Sequence, residues 1–433
     1  MDLPLVPTAT RAEILAIQSR RKRLAFERAK TIPWYRGRLD HIDADRLDDP
    51  VVWSRIPILD KDTLRRLDHG QFLDQFCAVP RTEIAEYWRS GGTTGKPVFY
   101  PRTAGDVRAA LLSWGRAFPC MGIGHGDLAH IAFPIGIHPA GQVWARSAEM
   151  SGTGMVWAGA GNACPSEMQL SLIDNLKPTV FMGMSSFCLH LANLAEARGL
   201  DLAASSVKKV ICTAETLSAA KREKIGRMWG AEVFDVFGMS EAGLMGAETA
   251  THDGIHVWTD LYFIEVVDPD SGEAVPDGEV GTLCVTPLWT NEATPFLRWN
   301  SGDLVQLIER SSGSGPWVDA FPMIRHANRT TGFFKIRGVN VNHAEFEDMM
   351  FRQAAVNDFQ AILETDAATG REDLRILLEI RRAAAPEALI PAVAAAIKQS
   401  FEVTARIEVQ PQGTLAAEFE RTVKAARFVD RRE

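Results

Sequence analysis

The segment Arg89–Tyr100, RSGGTTGKPVFY, contains the residue types that can hold a phosphate group. Glycines let backbone N–H groups converge on an anion, hydroxyl groups add donors, and a lysine adds a positive charge. The candidate phosphate-binding residues are Ser90, Gly91, Gly92, Thr93, Thr94, Gly95 and Lys96. The segment does not match the nucleoside-triphosphate P-loop, G-x-x-x-x-G-K-[ST], because Ser90 replaces the first glycine and Pro97 follows Lys96. A polar hairpin loop is the alternative interpretation, since Gly-Gly and Gly-Lys-Pro sequences favour turns.

Four later segments carry further candidates. They are Val233–Gly243 (VFDVFGMSEAG), Arg298–Val305 (RWNSGDLV), Asn328–Asp348 (NRTTGFFKIRGVNVNHAEFED) and Glu420–Arg432 (ERTVKAARFVDRR). Glu241 falls just beyond a predicted strand, where open α/β sheets bind ligands. Each candidate also has an ordinary interpretation, because Glu241 could begin a helix, Asp303 suits a turn, and Lys424 could be solvated. The order and spacing of the segments together favour a functional site.

From about residue 127 the sequence alternates between apolar strands and amphipathic helices. The predicted strands are 127–135 (DLAHIAFPI), 178–184 (PTVFMGM), 207–215 (VKKVICTAE) and 231–238 (AEVFDVFG). Ser185 or Ser186 is placed to cap a helix over 187–200, and a second helix covers 218–230. Short apolar runs that alternate with helices are typical of parallel strands covered on both faces.

The pattern changes twice further along the chain. After residue 254, strand-rich sequence at 255–269 and 282–288 predicts an antiparallel addition. From about residue 332 a smaller unit begins, with strands at 374–382 and 405–411 on either side of a helix at 386–401. We therefore expect an α/β protein with a large N-terminal domain of mixed and parallel sheets, residues 1–331, and a small α+β C-terminal domain, residues 332–433.

Composition bounds the class of protein. The 433 residues are 46% hydrophobic and 24% charged, as in ordinary globular proteins, and the net charge of −8 argues against a dedicated nucleic-acid binder. Six scattered cysteines without a C-x-x-C pair are typical of buried thiols in a reducing compartment. The N-terminal residues lack a signal-peptide pattern and no run reaches the ~18 apolar residues of a membrane helix, so we expect a cytoplasmic protein without a membrane or nucleic-acid partner.

In their order along the chain, these motifs resemble those of the adenylate-forming superfamily and, within it, the phenylacetate–CoA ligase family. The resembling segments are 32–39 (IPWYRGRL), 56–66 (IPILDKDTLRR), 90–97 (SGGTTGKP), 213–216 (TAET), 235–241 (DVFGMSE), 253–283 (DGIHVWTDLYFIEVVDPDSGEAVPDGEVGTL) and 336–348 (IRGVNVNHAEFED). The resemblance covers almost the whole chain and implies a large adenylate-forming domain followed by a small mobile domain.

The resemblance also implies a reaction, with ATP, Mg²⁺ and CoA as cofactors. The carboxylate of the substrate attacks the α-phosphate of ATP, pyrophosphate leaves, and the thiol of CoA then displaces AMP from the acyl-adenylate. Such chemistry needs positioning and charge neutralisation. The phosphate loop would hold the β- and γ-phosphates, and the expected catalytic residues are Thr93, Glu241 and Lys424. Glu241 would bind Mg²⁺, and Lys424 would reach the α-phosphate and carboxylate oxygens.

Further roles follow from the same resemblance. Phe237 would pack against adenine with Glu215 beside it. Asp303 would accept hydrogen bonds from both ribose hydroxyls, and Arg329 would support the ribose. The other residues expected in the nucleotide site are Ala214, Thr216, Asp235, Gly238, Met239 and Ser240.

An acyl pocket and a CoA tunnel complete the expected site. The acyl-pocket candidates are Phe133, Ile135, Ile137, His138, Met184, Met239 and Ala242, which suit an aromatic or medium-sized apolar acid. For His138 a core or surface role is favoured over a catalytic one. The CoA-tunnel candidates are Lys335, Arg337 and Gly338.

In the acyl-pocket segment, 132–141 (AFPIGIHPAG) stands in place of the family's aromatic-Gly-aromatic-Gly pattern, and the sequence departs from the family at three other places. Gly332 stands where the hinge usually carries Asp or Lys, and no glycine precedes Lys424 at the usual position. Some relatives carry a Cys/His zinc site, but here Thr249 replaces the first cysteine and His256 remains alone, so no structural zinc is expected.

Three functions remain open at this point. The first is an ATP-dependent acid–CoA ligase. The second transfers the acyl group to an acyl carrier protein or an amine instead of CoA. The third is a degenerate fold that binds a nucleotide or acyl ligand without catalysis. The sequence leaves both a monomer and a homodimer open.

Overall fold

The fold is taken from a computed structural model, which describes residues 3–89, 98–329, 333–365, 371–381, 384–415 and 427–432. Contacts group the chain into two units. Unit 1 comprises Met1–Asp127, Ile135–Met155 and Phe234–Thr330, and unit 2 comprises Leu128–Pro134, Val156–Val233 and Thr331–Glu433. Residues 156–233 therefore group with the C-terminal residues. The division into domains 1–331 and 332–433 remains a prediction about parts that move independently.

The described residues form the following helices: α1 (Arg11–Ala29), α2 (Pro50–Trp53), α3 (Lys61–Arg65), α4 (His69–Phe76), α5 (Ala104–Cys120), α6 (Pro139–Ser147), α7 (Ser166–Leu176), α8 (Ser185–Ala197), α9 (Ala219–Trp229), α10 (Pro316–Ala320), α11 (His343–Phe351) and α12 (Pro386–Phe401).

The strands are β1 (Ile84–Arg89), β2 (Phe99–Thr103), β3 (Leu128–Ile131), β4 (Gly154–Val156), β5 (Val180–Gly183), β6 (Lys209–Cys212), β7 (Glu232–Met239), β8 (Gly243–Glu248), β9 (Ile255–Val257), β10 (Tyr262–Val267), β11 (Val280–Pro287), β12 (Trp299–Ile308), β13 (Met323–Arg329), β14 (Phe333–Ile336), β15 (Val339–Asn342), β16 (Val356–Thr365), β17 (Glu372–Ile380), β18 (Ala405–Gln410) and β19 (Phe428–Asp430).

Unit 1 contains an antiparallel run of strands in the order β10-β11-β12-β13-β9-β8-β7. This confirms the antiparallel addition predicted after residue 254. Next to β1 lies β2, also antiparallel, and Thr103 at its end caps α5 in a capping box with Asp106. An aromatic core of α1, α4 and the region before β12 packs around Phe26, Phe76 and Trp299.

Unit 2 contains the parallel strands β3, β5 and β6, with α8 and α9 in the connections between strands, as the sequence predicts. Its C-terminal residues form a four-stranded sheet in the order β18-β17-β16-β19, confirming the strand–helix–strand pattern at 374–411. The final strand β19 runs parallel to β16 and forms one edge of this sheet.

The prediction that Ser185 or Ser186 caps α8 was wrong. The residue that precedes the helix is Met184, and both serines lie inside its first turn. Their hydroxyls do not cap the helix but donate hydrogen bonds to the carboxylate of Glu215.

All six cysteines are free thiols, and five of them are buried. Within the described ranges no helix is both long and apolar enough to cross a membrane.

Candidate active site

Glu241 lies in the turn Ser240–Ala242, which joins β7 to β8 in unit 1. Its side chain is buried, with 6% exposure. Among the residues that the structure describes, Tyr100 is the one side chain that hydrogen-bonds this carboxylate, with 3.3 Å between the hydroxyl and Oε1. A buried carboxylate with so little compensation is a candidate ligand for a cation.

The three backbone carbonyls of this turn, in contrast, all accept hydrogen bonds. Arg102 on β2 donates from Nη2 to the carbonyls of Ser240 and Glu241, both at 2.8 Å. Asn291 adds a second donor to the Glu241 carbonyl at 2.8 Å, and the hydroxyl of Thr290 donates to the carbonyl of Ala242 at 2.7 Å. The position of Glu241 is therefore fixed through its main chain.

Two glycines allow the hairpin to close so tightly. A Cβ on Gly238 would lie 2.7 Å from the carbonyl oxygen of Gly243 across the hairpin. Gly243 itself has φ +108°, and a Cβ there would lie 2.9 Å from the Trp114 ring. A side chain at either position would displace the strands that hold the turn.

Phe237, expected against adenine, is buried on β7 with its ring 4.8 Å from that of His326 on β13. In the pairing of β12 with β13, Asp303 lies directly opposite Arg329. The two residues expected at the ribose therefore share one register position, three residues beyond His326. Asp303 is buried, and its amide donates to the Ser301 hydroxyl at 3.0 Å.

In unit 2, the loop after β6 carries the segment expected beside adenine. Ala214 has φ +67°, an unusual conformation for a residue with a Cβ and one that occurs often at functional sites. The carboxylate of Glu215 accepts from the Ser185 and Ser186 hydroxyls at 3.0 and 2.7 Å and from the Ser186 amide at 2.8 Å. The Glu215 carboxylate therefore anchors the first turn of α8.

The charge of Glu215 is stabilised in place. Burial by itself raises the pKa of this carboxyl, but Lys221, Arg427 and the Ser186 hydrogen bonds outweigh burial and lower the pKa below its ordinary value. Lys221 also donates to the carbonyl of Thr216 at 3.1 Å.

The remaining nucleotide candidates lie on β7 and its turn. Asp235 donates its amide to Glu248 at 2.8 Å, while Gly238, Met239 and Ser240 complete the end of the strand and its turn. Within unit 1 the structure thus places Phe237 to Glu241 in one hairpin.

The acyl-pocket candidates divide between the units. In unit 2, Phe133 and Met184 are buried. In unit 1, Ala242 is buried and Met239 half-buried, whereas Ile135 and Ile137 are 39% and 45% exposed. His138 precedes α6 without capping it through its side chain. The pocket remains a proposal.

The three CoA candidates lie on one hairpin of unit 2. Arg337 and Gly338 form a two-residue turn between β14 and β15, both with positive φ, as expected for a type I′ turn. The Arg337 guanidinium pairs with Asp373 at 3.0 Å and donates to the Thr404 hydroxyl at 2.7 Å. Lys335 is exposed on β14.

Several expected residues lie outside the described residues. They are Ser90, Gly91, Gly92, Thr93, Thr94, Gly95 and Lys96 of the phosphate loop, Gly332 of the hinge, and Lys424. Their roles remain predictions.

Sequence reasoning missed Tyr100, Arg102, Asn291 and His326. The alternation of Tyr100 and Arg102 along the strand after the phosphate loop was an available signal, because alternate residues share one face. Nothing local marked Asn291 or His326, since their importance arises from contacts distant in sequence.

The site fits a nucleotide-bound magnesium ion. Within the described residues no group of three or more His, Cys, Asp or Glu side chains could enclose a metal. Mg²⁺ in ATP sites usually has one or two protein carboxylates and takes its other ligands from phosphates and water. A single buried Glu241 satisfies that requirement, whereas a closed structural metal site would need more ligands.

Comparisons with known proteins agree with this fold. The sequence model of a family described as AMP-binding enzyme matches residues 46–288. The phenylacetate-coenzyme A ligase of Aromatoleum evansii is 30% identical, over 100% of this chain and 97% of that protein. The phenylacetate-coenzyme A ligase of Thermus thermophilus is 31% identical, over 87% of this chain and 84% of that protein.

Solved structures of 2-hydroxyisobutyryl-CoA ligase are similar in fold. One in the postadenylation state with 2-HIB-AMP has a TM-score of 0.83 at 23% identity, covering 98% of this chain and 91% of that chain. Another with 2-HIB-AMP and CoA in the thioesterification state has a TM-score of 0.68 at 25% identity, covering 99% and 92%.

The fold, a large mixed sheet with helices and a smaller C-terminal sheet, is that of an adenylate-forming enzyme. The chain belongs to the AMP-binding enzymes and, among them, to the phenylacetate–CoA ligase family. It is an AMP-forming acid–CoA ligase, the class expected from the sequence.

Proposed function

We propose that this enzyme activates an aromatic or medium-sized apolar carboxylic acid. The acid carboxylate attacks the α-phosphate of ATP and pyrophosphate leaves; the CoA thiol then attacks the acyl carbon and AMP leaves. The observation that carries the proposal is the buried Glu241, held by its main chain while its carboxylate has little compensation. The names of the relatives and the apolar candidates Phe133, Met184 and Met239 support the acid class.

The chain's residues would divide the work of adenylation. Phe237 packs against adenine, while Asp303 on β12 and Arg329, its register partner on β13, hold the ribose. The loop Ser90–Lys96 and Ser240 bind phosphate oxygens, and Glu241 holds the Mg²⁺ that accompanies ATP. When bound, this ion neutralises charge on the phosphates. Lys424 neutralises charge that develops at the α-phosphate and the attacking carboxylate.

Transfer to CoA would use a second arrangement of the small domain, residues 332–433. Rotation at Gly332 would bring the hairpin of Lys335, Arg337 and Gly338 to the thiol path. Small residues at a hinge absorb the backbone change that such a rotation requires. For its location we propose the cytoplasm, a reducing compartment that suits six free thiols.

The test is pyrophosphate release from ATP and Mg²⁺ across a panel of aryl and aliphatic carboxylic acids, with and without CoA. We expect acid-dependent release, with AMP and acyl-CoA formed when CoA is present, and the fastest rates for aromatic or medium-sized apolar acids. Preference for short polar acids would contradict the proposed substrate class. Release without thioester formation would indicate another acyl acceptor, such as a carrier protein or an amine.

A further inference from the structure

Strand β2 begins two residues after the phosphate-loop segment 90–97 and presents two large polar side chains toward the Glu241 turn. Tyr100 and Arg102 are two residues apart, so they lie on the same face of the strand. Both are buried, at 2% and 0% exposure. Buried polar side chains that meet the same short turn suggest a dedicated connection between these two parts of the chain.

Arg102 provides the main-chain part of this connection. Its Nη1 donates to the Thr290 carbonyl and to the Asn291 Oδ1, both at 2.7 Å, and its Nη2 donates to the Ser240 and Glu241 carbonyls. The guanidinium also lies over the Trp88 ring, 4.6 Å from its centroid. The planar guanidinium of Arg102 donates to four acceptors at once and so fixes the orientation of the turn. The ammonium of a lysine could not make the same set of contacts.

Asn291 closes the arrangement from the other side. Its Nδ2 donates to the Glu241 carbonyl at 2.8 Å and to the Thr294 carbonyl at 3.1 Å, while its Oδ1 accepts from Arg102. The Glu241 carbonyl therefore has two donors, which matches its two lone pairs.

Tyr100 provides the side-chain part. Its hydroxyl lies 3.3 Å from the Glu241 Oε1, and its ring packs edge-on against Phe72 and Phe296. A carboxylate only accepts hydrogen bonds, so the Tyr100 hydroxyl is the donor in this contact. One oxygen of the carboxylate is thereby oriented, and the other has no hydrogen-bond partner among the described residues.

We propose that Tyr100 and Arg102 are positioning residues that fix Glu241 relative to the strand leaving the phosphate loop, with Tyr100 setting the carboxylate rotamer that receives a nucleotide-bound divalent cation. This inference rests on the proposed function of Glu241. Partners that orient a metal ligand typically change metal affinity by about 10- to 100-fold when they are removed.

A purely structural role is the competing explanation, because buried arginines often satisfy loop carbonyls. The two explanations differ in what Tyr100→Phe changes. This substitution keeps the ring packing and removes one oxygen atom. A structural role lowers stability and leaves cation affinity unchanged, whereas a positioning role lowers cation affinity in the folded protein.

The primary measurement is Mn²⁺ binding in the presence of adenosine 5′-(β,γ-methylene)triphosphate, followed by the electron paramagnetic resonance signal of free Mn²⁺. For Tyr100→Phe we expect about tenfold weaker Mn²⁺ binding and a similar rise in the KM for Mg²⁺ during pyrophosphate release, with kcat changed less. Arg102→Lys, if folded, is expected to weaken Mn²⁺ binding further. Thermal unfolding without a cation checks that each variant is folded.

Tyr262→Phe is the matched control. The Tyr262 hydroxyl contacts the Ser113 hydroxyl at 3.3 Å and the Ala242 carbonyl at 3.4 Å, so it touches the same turn but not the Glu241 carboxylate. We expect it to lower stability while leaving Mn²⁺ affinity unchanged. Equal Mn²⁺ affinity in wild type and Tyr100→Phe, or an equal loss in Tyr262→Phe, would overturn the inference.

The Mn²⁺-binding measurement distinguishes a failure of this inference from a failure of the proposed function. A wild-type protein that releases no pyrophosphate with any acid, yet binds Mn²⁺ with the nucleotide analogue, would contradict the proposed function while the Tyr100→Phe comparison still decides the positioning role. A wild-type protein that binds no Mn²⁺ with the analogue would contradict both.

Discussion

At the scale of single residues, the carboxylate of Glu241 is buried and yet has few compensating contacts, two properties that seldom occur together. Burial of a carboxylate is unfavourable unless hydrogen bonds or charges compensate it. Here the compensation goes to the main chain of the turn, through Arg102 and Asn291, and the carboxylate itself receives only the Tyr100 hydroxyl within the described part of the chain. Such an arrangement retains binding capacity at the carboxylate because the fold, not the side chain's own contacts, holds it in place.

Glu241→Gln tests this property directly. The amide keeps the size of the side chain but loses the negative charge that a cation needs. We expect the kcat for acid-dependent pyrophosphate release to fall by about 100-fold or more, the usual consequence of losing one preorganised electrostatic contact. The charge-matched control is Glu279→Gln. Glu279 is exposed and immediately precedes β11, so wild-type rates are expected for this variant. Wild-type activity in Glu241→Gln would rule out its assignment as the cation ligand.

At the scale of elements, the β7–β8 hairpin depends on close approach of its own backbone to neighbouring elements. Gly243 meets the Trp114 ring of α5, and α5 in turn begins at the end of β2. The hairpin, β2 and α5 therefore form one packed group in unit 1. A change at Gly243, the first residue after the turn, should therefore displace Glu241, which lies two residues away.

Gly243→Ala should be destabilising for two reasons, the positive φ and the collision with Trp114. Gly126→Ala is the matched control, because Gly126 has φ +96° but nothing within 4 Å of an added Cβ. We expect Gly126→Ala to lower the free energy of unfolding by about 1 kcal/mol and Gly243→Ala by about 3 kcal/mol, the difference reflecting overpacking. Urea denaturation of both variants measures this difference. Equal losses in the free energy of unfolding would show that the hairpin accommodates the added methyl group without further destabilisation.

At the scale of the whole molecule, unit 2 ties the C-terminal residues to α9 through buried charges. Lys221 Nζ lies 2.7 Å from Glu347 Oε2, and Arg427 pairs with Glu347 at 3.1 Å and with Asp358 at 3.0 Å. Burial opposes the charge of Arg427, but Asp358 and Glu347 raise its pKa. Lys221 also donates to Ser185, so the network reaches the first turn of α8 that Glu215 anchors. Rotation of residues 332–433 would have to break the Lys221–Glu347 pair.

Glu347→Gln removes one charge from this network and leaves the buried Lys221 without the carboxylate that lies 2.7 Å from its ammonium. Breaking a buried pair in this way typically costs about 3 kcal/mol or more, so we expect a loss of that size in the free energy of unfolding. The double variant Lys221→Met/Glu347→Gln should recover part of the loss, because the unpaired charge is gone. The exposed pair Arg381–Glu196, at 3.8 Å, provides the control, since Glu196→Gln should change stability by less than about 0.5 kcal/mol. Strict additivity of the two substitutions would contradict the coupling.

Lys224 gives the same unit a pH dependence. Its ammonium donates to the carbonyls of Val356 and Asn357, and burial lowers its pKa from 10.5 to about 7, with Asp358 opposing and Arg427, Arg381 and Arg227 reinforcing the shift. Between these two values the unfolded chain binds a proton that the folded protein does not. Stability therefore rises with pH over this range, by up to about 1.4 kcal/mol per pH unit.

Lys224→Met should lack this rise. The difference in free energy of unfolding, variant minus wild type, is expected to fall steadily as the pH rises from 7 toward 10, measured by urea denaturation at each pH. The exposed Lys208 supplies the control, because Lys208→Met should follow the wild-type curve. Parallel curves for Lys224→Met and wild type would show that the buried ammonium does not titrate in this range.

The sequence by itself determined the elements and the family. The parallel strands β3, β5 and β6 and the antiparallel strands after residue 254 follow from the periodicity of a few neighbouring residues. The ordered motifs indicated the enzyme class for the same reason, since each motif is a short local pattern.

Only the tertiary structure decided which polar groups meet. Ser185 and Ser186 bond Glu215, about 30 residues away, instead of capping their own helix. Arg102 reaches Glu241 across 139 positions and Asn291 across 189. No local pattern encodes such partners, because a hydrogen bond between distant segments depends on how the intervening elements pack. The sequence therefore identified Glu241, while the fold showed what holds it.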